Sequence, residues 1–193
     1  TAIETNVMST AKEVSTYYRK CVNDQNHEGV VVRSSGGRIY KIKPSFSVDA
    51  VIIGYTERSK DAEQVRSIAL ALMNVDGAYQ FIGSCGNLGS DKDRKALMKN
   101  LKGDQVDSSW RVTSNSGAMY RFVKPKLVVE IKATDIQSED SAGNSIEKMS
   151  LSYVDSGWSA AGKSYTASLL HPVLVRIRED KEVNESDIRL TQM

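Results

Sequence analysis

The stretch IALALMNVDGAYQFIGS, residues 68–84, contains two short apolar runs on either side of an Asp-Gly pair. Apolar residues fill positions 68–73, and aromatic and β-branched side chains recur at positions 79–84. An Asp-Gly pair between two such runs is typical of a tight turn, because glycine tolerates the positive φ that the turn requires. The stretch therefore predicts a β-hairpin.

The chain beyond residue 60 continues in the same pattern. Residues 91–101 are the one later helix candidate, with Ser90 or Asp91 at the start and Gly103 beyond the end. Further short strand-like runs lie at 111–113, 120–123, 127–136, 146–154 and 173–177. Many short strands with a single helix favour a small Greek-key barrel, for which the OB-fold is the natural candidate. The expected fold class is α+β and mostly β.

The first 60 residues predict a separate unit with a basic strand face. Residues 7–22 have the apolar spacing of one helix face, and three strands are predicted between residues 28 and 57. Lys41 and Lys43 are two positions apart, so both side chains leave the same face of their strand. The charged segment 58–66 is interpreted as a linker. This organisation predicts two domains, residues 1–60 and residues 61–193.

Composition excludes several classes of protein. The 193 residues are 40% hydrophobic and 26% charged, which is typical of a globular domain, and no apolar run approaches the roughly 20 residues of a membrane span. Two cysteines, Cys21 and Cys85, are too few to staple a fold of this size, so we expect packing roles and an intracellular, cytoplasmic protein. Two histidines are too few for a His-rich zinc site.

The net charge of +2 conceals an uneven distribution. Residues 29–48 contain four basic and no acidic residues, residues 92–132 contain ten basic and four acidic ones, and residues 134–160 reverse the sign. Basic segments of this kind favour a polyanionic partner such as nucleic acid, although an ordinary solvated surface is the alternative. Trp110, Tyr120 and Phe122 are interleaved with the basic residues of the second segment, an arrangement that suits contact with a nucleic-acid backbone. The alternative is the core, which we prefer for Trp110 and Phe122.

Three segments resemble motifs of a known enzyme family. HEGVVVR (27–33) and RIYKIK (38–43) resemble the fourth and fifth motifs of the covalent nucleotidyltransferases, a Glu-Gly pair opening an apolar strand and then Lys-x-Lys. HPVLVRIREDK (171–181) resembles the sixth motif, Arg-x-Asp-Lys. The segments 47–55, 76–86 and 125–131 look like strands of ATP-dependent DNA ligases. The chain thus resembles the C-terminal portion of such a ligase, collinearly over about residues 7–190.

Two motifs of that family are missing from this sequence. The Lys-x-Asp-Gly motif of the nucleophile is absent, since the only Asp-Gly pair is Asp76-Gly77 after Asn74-Val75, and the third motif is absent as well. The sequence also has no initiator Met. We therefore expect the chain to begin just before the fourth motif and to be unable to attach AMP to itself.

The resemblance implies an enzyme, an ATP-dependent DNA ligase that seals nicks by adenylyl transfer in DNA replication, repair and recombination. Residues 1–60 would end the nucleotidyltransferase (adenylation, ATP-grasp-like) domain, and residues 61–193 would form the OB-fold domain, which closes over ATP. The implied cofactors are ATP and Mg²⁺. The implied partners are nicked double-stranded DNA and the rest of the nucleotidyltransferase domain, with no membrane and a monomeric state.

The resemblance also assigns roles to individual residues. The implied catalytic residues are Lys41, Lys43, Arg178, Asp180 and Lys181. The implied ATP-binding residues are Glu28, Lys41, Lys43, Arg176, Arg178 and Lys181, and Glu28 would also bind the metal. Cations in these places suit phosphoryl chemistry, because catalysis there is mostly positioning and charge stabilisation, and arginine binds phosphate bidentately. The alternatives are an ordinary basic strand and a charged edge strand.

Two other functions remain open on the sequence. A non-catalytic nucleic-acid-binding OB module could keep ligase-like residues, but it has no use for an Arg-x-Asp-Lys motif. An RNA ligase or a capping guanylyltransferase belongs to the same superfamily, but the strand at 125–131 favours a DNA ligase.

Overall fold

The computed structural model of the chain describes residues 4–193, so the first three residues of the predicted 1–60 domain lie outside the described residues. The chain divides into two compact units, residues 1–45 and residues 46–193. In the first unit the elements are α1 (Ala11–Arg19), a π-helical turn (Lys20–Asp24), β1 (Val30–Arg33) and β2 (Ile39–Ile42). In the second they are β3 (Phe46–Arg58), β4 (Asp61–Met73), β5 (Tyr79–Cys85), α2 (Asp91–Leu101), β6 (Arg121–Phe122), β7 (Val128–Ala133), β8 (Asp135–Gln137), β9 (Glu147–Val154), β10 (Gly157–Tyr165), β11 (Ser168–Leu170) and β12 (Val173–Ile177), with two short 3₁₀ turns.

The first unit begins with a capped helix and ends with a hairpin. The Thr10 side chain accepts a hydrogen bond from the backbone N–H of Glu13, and the Glu13 carboxylate accepts one from the backbone N–H of Ser9, so α1 begins at Ala11, inside the predicted span 7–22. Cys21 is buried in the following turn, which confirms its packing role. β1 and β2 pair antiparallel across the turn at 34–37.

The second unit is built on one eight-stranded sheet. The strand order is β10-β9-β5-β4-β3-β7-β12, and β6 pairs with β3; β8 and β11 form a separate two-stranded sheet. The central strands β3 and β4 are buried on both faces, because alternate residues enter two hydrophobic cores. Val48, Ala50 and Ile52 enter one core, and Val51 and Ile53 enter the other. The predicted hairpin at 68–84 is confirmed as the pairing of β4 with β5.

Two expectations about this unit need correction. The segment 58–66 is no linker, because residues 61–66 are the first half of β4, paired with the end of β3 through Glu57 and Val65. The mostly β, α+β class is confirmed, but the closed Greek-key barrel is not. In the described residues, β10 and β12 stand at the two ends of the strand order without pairing to each other.

Helix α2 has the bounds that the sequence predicts. Ser90 and Asp93 form a capping box, in which each side chain accepts a hydrogen bond from the other residue's backbone N–H. Leu97, Met98 and Leu101 are buried in the first core. Among residues 4–193, no helix is both long enough and apolar enough to cross a bilayer.

Candidate functional site

The hairpin of the first unit gathers basic side chains on one face. In the β1–β2 register Val31 lies opposite Lys41 and Arg33 lies opposite Ile39, and directly opposed residues share a face. Arg33 therefore joins Lys41, and Lys43 follows two positions later on the same side. All three side chains are exposed. Only the pairing register shows that Arg33 belongs with the two lysines.

Glu28 and Lys43 form an ion pair at the open end of this hairpin. Gly29 makes the pair possible, because the chain there passes so close to β2 that a Cβ on residue 29 would lie 2.3 Å from the carbonyl oxygen of Ile42. The structure thus explains why a glycine follows the glutamate in the Glu-Gly pair of the fourth motif. Glycine permits the close approach, and the approach brings the preceding carboxylate to the lysine of the fifth motif.

The described residues supply little for a metal ion. Residues 4–193 contain no group of three or more His, Cys, Asp or Glu side chains that could hold one. Glu28 alone offers a carboxylate on the basic hairpin, and Lys43 already binds it. Mg²⁺ is commonly held by one or two carboxylates together with phosphate oxygens and water. Glu28 therefore fits as one ligand of such an ion, but not as a complete site.

A second charged cluster lies in the second unit, where β12 runs beside β7 and β7 beside β3. Asp49 of β3 and Glu130 of β7 are directly opposed, so their carboxylates share a face. Arg176 Nε donates to Glu130 at 2.8 Å, and Arg178 Nη1 donates to both oxygens of Asp49 at 2.9 and 3.1 Å. The prediction that the two arginines share a face is confirmed.

The arginine and the lysine of the Arg-x-Asp-Lys motif both bind Asp49. Arg178 also donates through Nε and Nη2 to the two oxygens of Asp180, at 2.8 and 2.7 Å. Lys181 Nζ lies 2.9 Å from Asp49 Oδ2 and 3.8 Å from Asp187 Oδ1. Asp49 was not among the predicted site residues. The only local feature of the sequence that could have identified Asp49 is that it is an acidic residue within an apolar strand.

These contacts set the ionisation of the cluster. The hydrogen bond from Arg178 holds the pKa of Asp180 well below its usual range. The hydrogen bonds to Asp180, together with the charge of Asp49, raise the pKa of the Arg178 guanidinium. The hydrogen bond from Arg176 lowers the pKa of Glu130. Arg178, Asp180 and Glu130 are therefore charged near neutral pH, and the cations of the cluster are matched by carboxylates of the same unit.

The aromatic residues of the basic segment 92–132 belong to the core. Tyr120 and Phe122 are buried, and the Tyr120 hydroxyl shares a hydrogen bond with Ser67 Oγ at 2.9 Å. Trp110 packs edge-on against Phe122 with ring centroids 5.8 Å apart. The core interpretation is confirmed for Phe122, and Trp110 is partly buried against the same core. Neither Tyr120 nor Phe122 has a ring face open to solvent for contact with nucleic acid.

Cys85 is buried at the end of β5, and its thiol donates to the Pro172 carbonyl at 3.2 Å. Burial raises the pKa of this thiol, which confirms a packing residue rather than a nucleophile.

The basic excess of segment 92–132 is smaller than its residue count suggests. Five of its ten basic side chains form ion pairs with Asp61, Glu63, Glu57 or Asp104; these are Lys95, Lys102, Arg121, Lys124 and Lys126. Arg94 is buried and donates to backbone carbonyls of Val65, Arg66 and Gly86. Within the part of the chain that the structure describes, four have no carboxylate at ion-pair distance: Lys92, Lys99, Arg111 and Lys132.

Solved structures resemble this fold. Pmar-Lig_PreS3 matches with a TM-score of 0.50 at 17% identity, over 86% of this chain and 30% of that one. Pmar-Lig_Pre. matches with a TM-score of 0.50 at 16% identity, over 87% and 30%. The ligase domain of M. tuberculosis LigD gives a TM-score of 0.48 at 18% identity, over 87% and 48%. The chain thus spans about a third of the length of the first two structures.

Sequence families give a more specific result. No curated protein sequence matches the chain. The family model described as the C-terminal region of ATP-dependent DNA ligases matches residues 61–181, from the start of β4 to the lysine of the Arg-x-Asp-Lys motif. Because this match covers more than half of the sequence, the chain belongs to the ATP-dependent DNA ligase family, of which it contains the C-terminal region.

Proposed function

We propose that this chain is the C-terminal portion of an ATP-dependent DNA ligase that seals nicks in duplex DNA. One observation carries the proposal: the family match reaches Lys181, and of its last residues Arg178 and Lys181 both bind Asp49 while Asp180 binds Arg178. The finer domain assignment belongs to the same proposal. Residues 1–60 end the nucleotidyltransferase domain, and residues 61–193 are an OB-type domain, although β3 packs with the second unit.

The reaction consists of three nucleotidyl transfers, each of which moves negative charge between phosphate oxygens. In our proposal Lys41 and Lys43 hold the α-phosphate of ATP from the exposed hairpin face, and Arg33 adds a third cation there. Arg176, Arg178 and Lys181 bind the pyrophosphate that leaves. Fixed cations act here by stabilising charge rather than by covalent chemistry, so their positions decide their contribution.

Mg²⁺ would neutralise phosphate charge in such a reaction. Glu28 supplies one oxygen ligand, and the phosphates and water supply the others. Lys43 and the ion compete for this carboxylate, so the loss of Glu28 affects both. Glu28→Gln should therefore weaken MgATP binding more than ATP binding without metal.

Binding of duplex DNA would be the other task of the second unit. Lys92, Lys99, Arg111 and Lys132 carry charges that no carboxylate of the described residues neutralises at close range, and such charges release counterions when they meet phosphates. The aromatic residues of the segment stabilise the core instead. DNA contact therefore depends on salt and involves the backbone rather than the bases.

A non-catalytic DNA-binding module is the second candidate. It is favoured by the carboxylates that already neutralise Arg178 and Lys181. Such a module would bind DNA in a salt-dependent way and ignore nucleotides.

MgATP binding separates the two candidates. If the chain is part of a ligase, Arg178→Ala and Lys181→Ala each weaken its binding of MgATP in isothermal titration, while Lys92→Ala does not. If neither variant differs from the wild type, the non-catalytic module is the better description. Incubation with MgATP should give no lysine-linked AMP by intact mass spectrometry, since the sequence has no nucleophile motif.

A further inference from the structure

The Arg178 guanidinium has almost no free donors. Arginine carries five N–H groups, and here Nη1 donates to both oxygens of Asp49, while Nε and Nη2 each donate to one oxygen of Asp180. A phosphate group needs two adjacent N–H groups for bidentate binding. Arg178 can offer them only after one of its two carboxylates has left.

The two carboxylates differ in how firmly they are held. The Asp49 side chain is 14% exposed and also binds Lys181. The Gln192 side-chain amide bonds both the backbone N–H and the carbonyl of Asp49, at 2.9 and 3.0 Å. The Asp180 side chain is 63% exposed, lies two residues from Arg178 in the chain and has no second cation at ion-pair distance in the described part of the structure. Exposed ion pairs contribute little free energy, so Asp180 is the partner that exchanges more easily.

We propose that Asp49 is a positioning residue that fixes the Nη1 side of Arg178. The Asp180 carboxylate occupies the Nε–Nη2 edge of Arg178 until an incoming phosphate displaces it. This inference rests on the proposed function, in which Arg178 binds phosphate. Asp49 keeps its contact with Arg178 throughout, and it also binds Lys181. No covalent bond changes, because one oxyanion is exchanged for another on the same two N–H groups.

The test is a titration of the whole chain with magnesium pyrophosphate, followed through the Arg178 Nε–H signal in NMR spectra. Asp180→Asn should raise the affinity about threefold, because the competing carboxylate is lost. Asp49→Asn should lower it about fivefold, because the guanidinium is no longer held in place. Each variant removes one negative charge, so the opposite signs separate positioning from a general charge effect.

Asp91→Asn is the matched control. Asp91 is an exposed aspartate bound to an arginine, Arg58, at 3.0 Å, and its loss changes the net charge equally. Its pyrophosphate affinity should stay within about 1.5-fold of the wild type. If Asp49→Asn does not fold, Asp49→Glu keeps the charge and moves the carboxylate by one methylene, and it should also lower the affinity.

Equal gains in affinity in Asp49→Asn and Asp180→Asn, or a loss in Asp180→Asn, would overturn the inference. So would an unchanged affinity in Asp49→Glu. Failure of the proposed function has a different signature, namely that Arg178→Ala binds pyrophosphate as the wild type does.

Discussion

Asp49 accepts both Nη1 hydrogen bonds of Arg178, at 2.9 and 3.1 Å, and thereby joins β3 to the segment after β12 across 129 positions of the chain. Both side chains are largely withdrawn from water, at 14% and 15% exposure. Removal of one partner from such a pair leaves the other charge poorly solvated. The pair therefore links the stability of the second unit to the position of the Arg-x-Asp-Lys residues.

The Asp49–Arg178 pair should be visible in unfolding experiments. Asp49→Asn should lower the unfolding free energy of the second unit by about 2 kcal/mol, since the guanidinium loses a charged acceptor. Trp110 and Trp158 both lie in this unit, so tryptophan fluorescence in a urea series reports its unfolding. Asp91→Asn, at an exposed pair, should change the value by less than about 0.5 kcal/mol. An equal loss of unfolding free energy in Asp49→Asn and Asp91→Asn would mean that the Asp49–Arg178 pair stabilises the unit no more than an exposed ion pair does.

Gly29 should be indispensable for the hairpin of the first unit. In Gly29→Ala the new methyl meets the Ile42 carbonyl, a backbone group that cannot swing aside, so the strands should part near Glu28 and Lys43. Hydrogen exchange should show lost protection of the β1–β2 amides and an unchanged second unit. Gly36→Ala is the control, because its Cβ would meet only Ser34 Oγ, at 3.9 Å. Full protection in Gly29→Ala would contradict this account of the Glu-Gly pair.

Lys148 predicts a pH dependence of stability. Its ammonium is partly buried on β9, donates to the carbonyls of Ile82 and Ala167, and burial lowers its pKa to about 8. Between pH 8 and the usual lysine value near 10.4, the unfolded chain binds a proton that the folded chain has released. The unfolding free energy should therefore rise with pH across that window.

The rise should be measurable as the difference between urea unfolding at pH 8 and at about pH 9.5, which is still below the usual tyrosine pKa near 10. Lys148→Met should abolish it, whereas Lys99→Met, on the exposed side of α2, should leave it intact. A rise of the same size in Lys148→Met would assign the effect to other groups.

DNA binding should depend on the unpaired cations of the second unit. A variant with alanine at Lys92, Lys99, Arg111 and Lys132 should reduce the slope of log affinity against log salt by about 2 to 4, roughly one per lost phosphate contact. The control variant has alanine at Lys95, Lys102, Lys124 and Lys126 and thus the same change in charge. Its slope should change less, because carboxylates already neutralise these lysines. If the two variants show equal slopes of log affinity against log salt, measured by fluorescence anisotropy, the unpaired cations contribute no more to DNA binding than the paired ones do.

Local patterns predicted the local structure well. Helix α2 was predicted at its bounds because Ser90 and Gly103 mark its ends, and the hairpin at 68–84 because Asp76-Gly77 fixes its turn. The segment 58–66 misled the interpretation for a physical reason. Asp61 and Glu63 carry two of its five charges and pair with Lys95 and Lys102, while Val65 is buried in the core.

Contacts between residues far apart in the chain could not be predicted from the sequence. In the described residues β10 and β12 do not pair with each other, and this strand order depends on pairings between remote segments that no local pattern encodes. The motif residues were identified by resemblance, but the partners that hold them were not. Asp49 precedes Arg178 by 129 positions, and Arg33 joins the lysine face only through the hairpin register.

The central claim is that the Arg-x-Asp-Lys segment of this chain binds phosphate groups of the nucleotide. The Arg178 Nε–H signal, followed while magnesium pyrophosphate is added to the wild-type chain, tests it most directly. The account predicts a saturable shift of this signal, larger than that of Arg58, whose partner Asp91 lies at the start of α2. An Arg178 signal that stays in place while the added pyrophosphate reaches saturation elsewhere on the chain would contradict it.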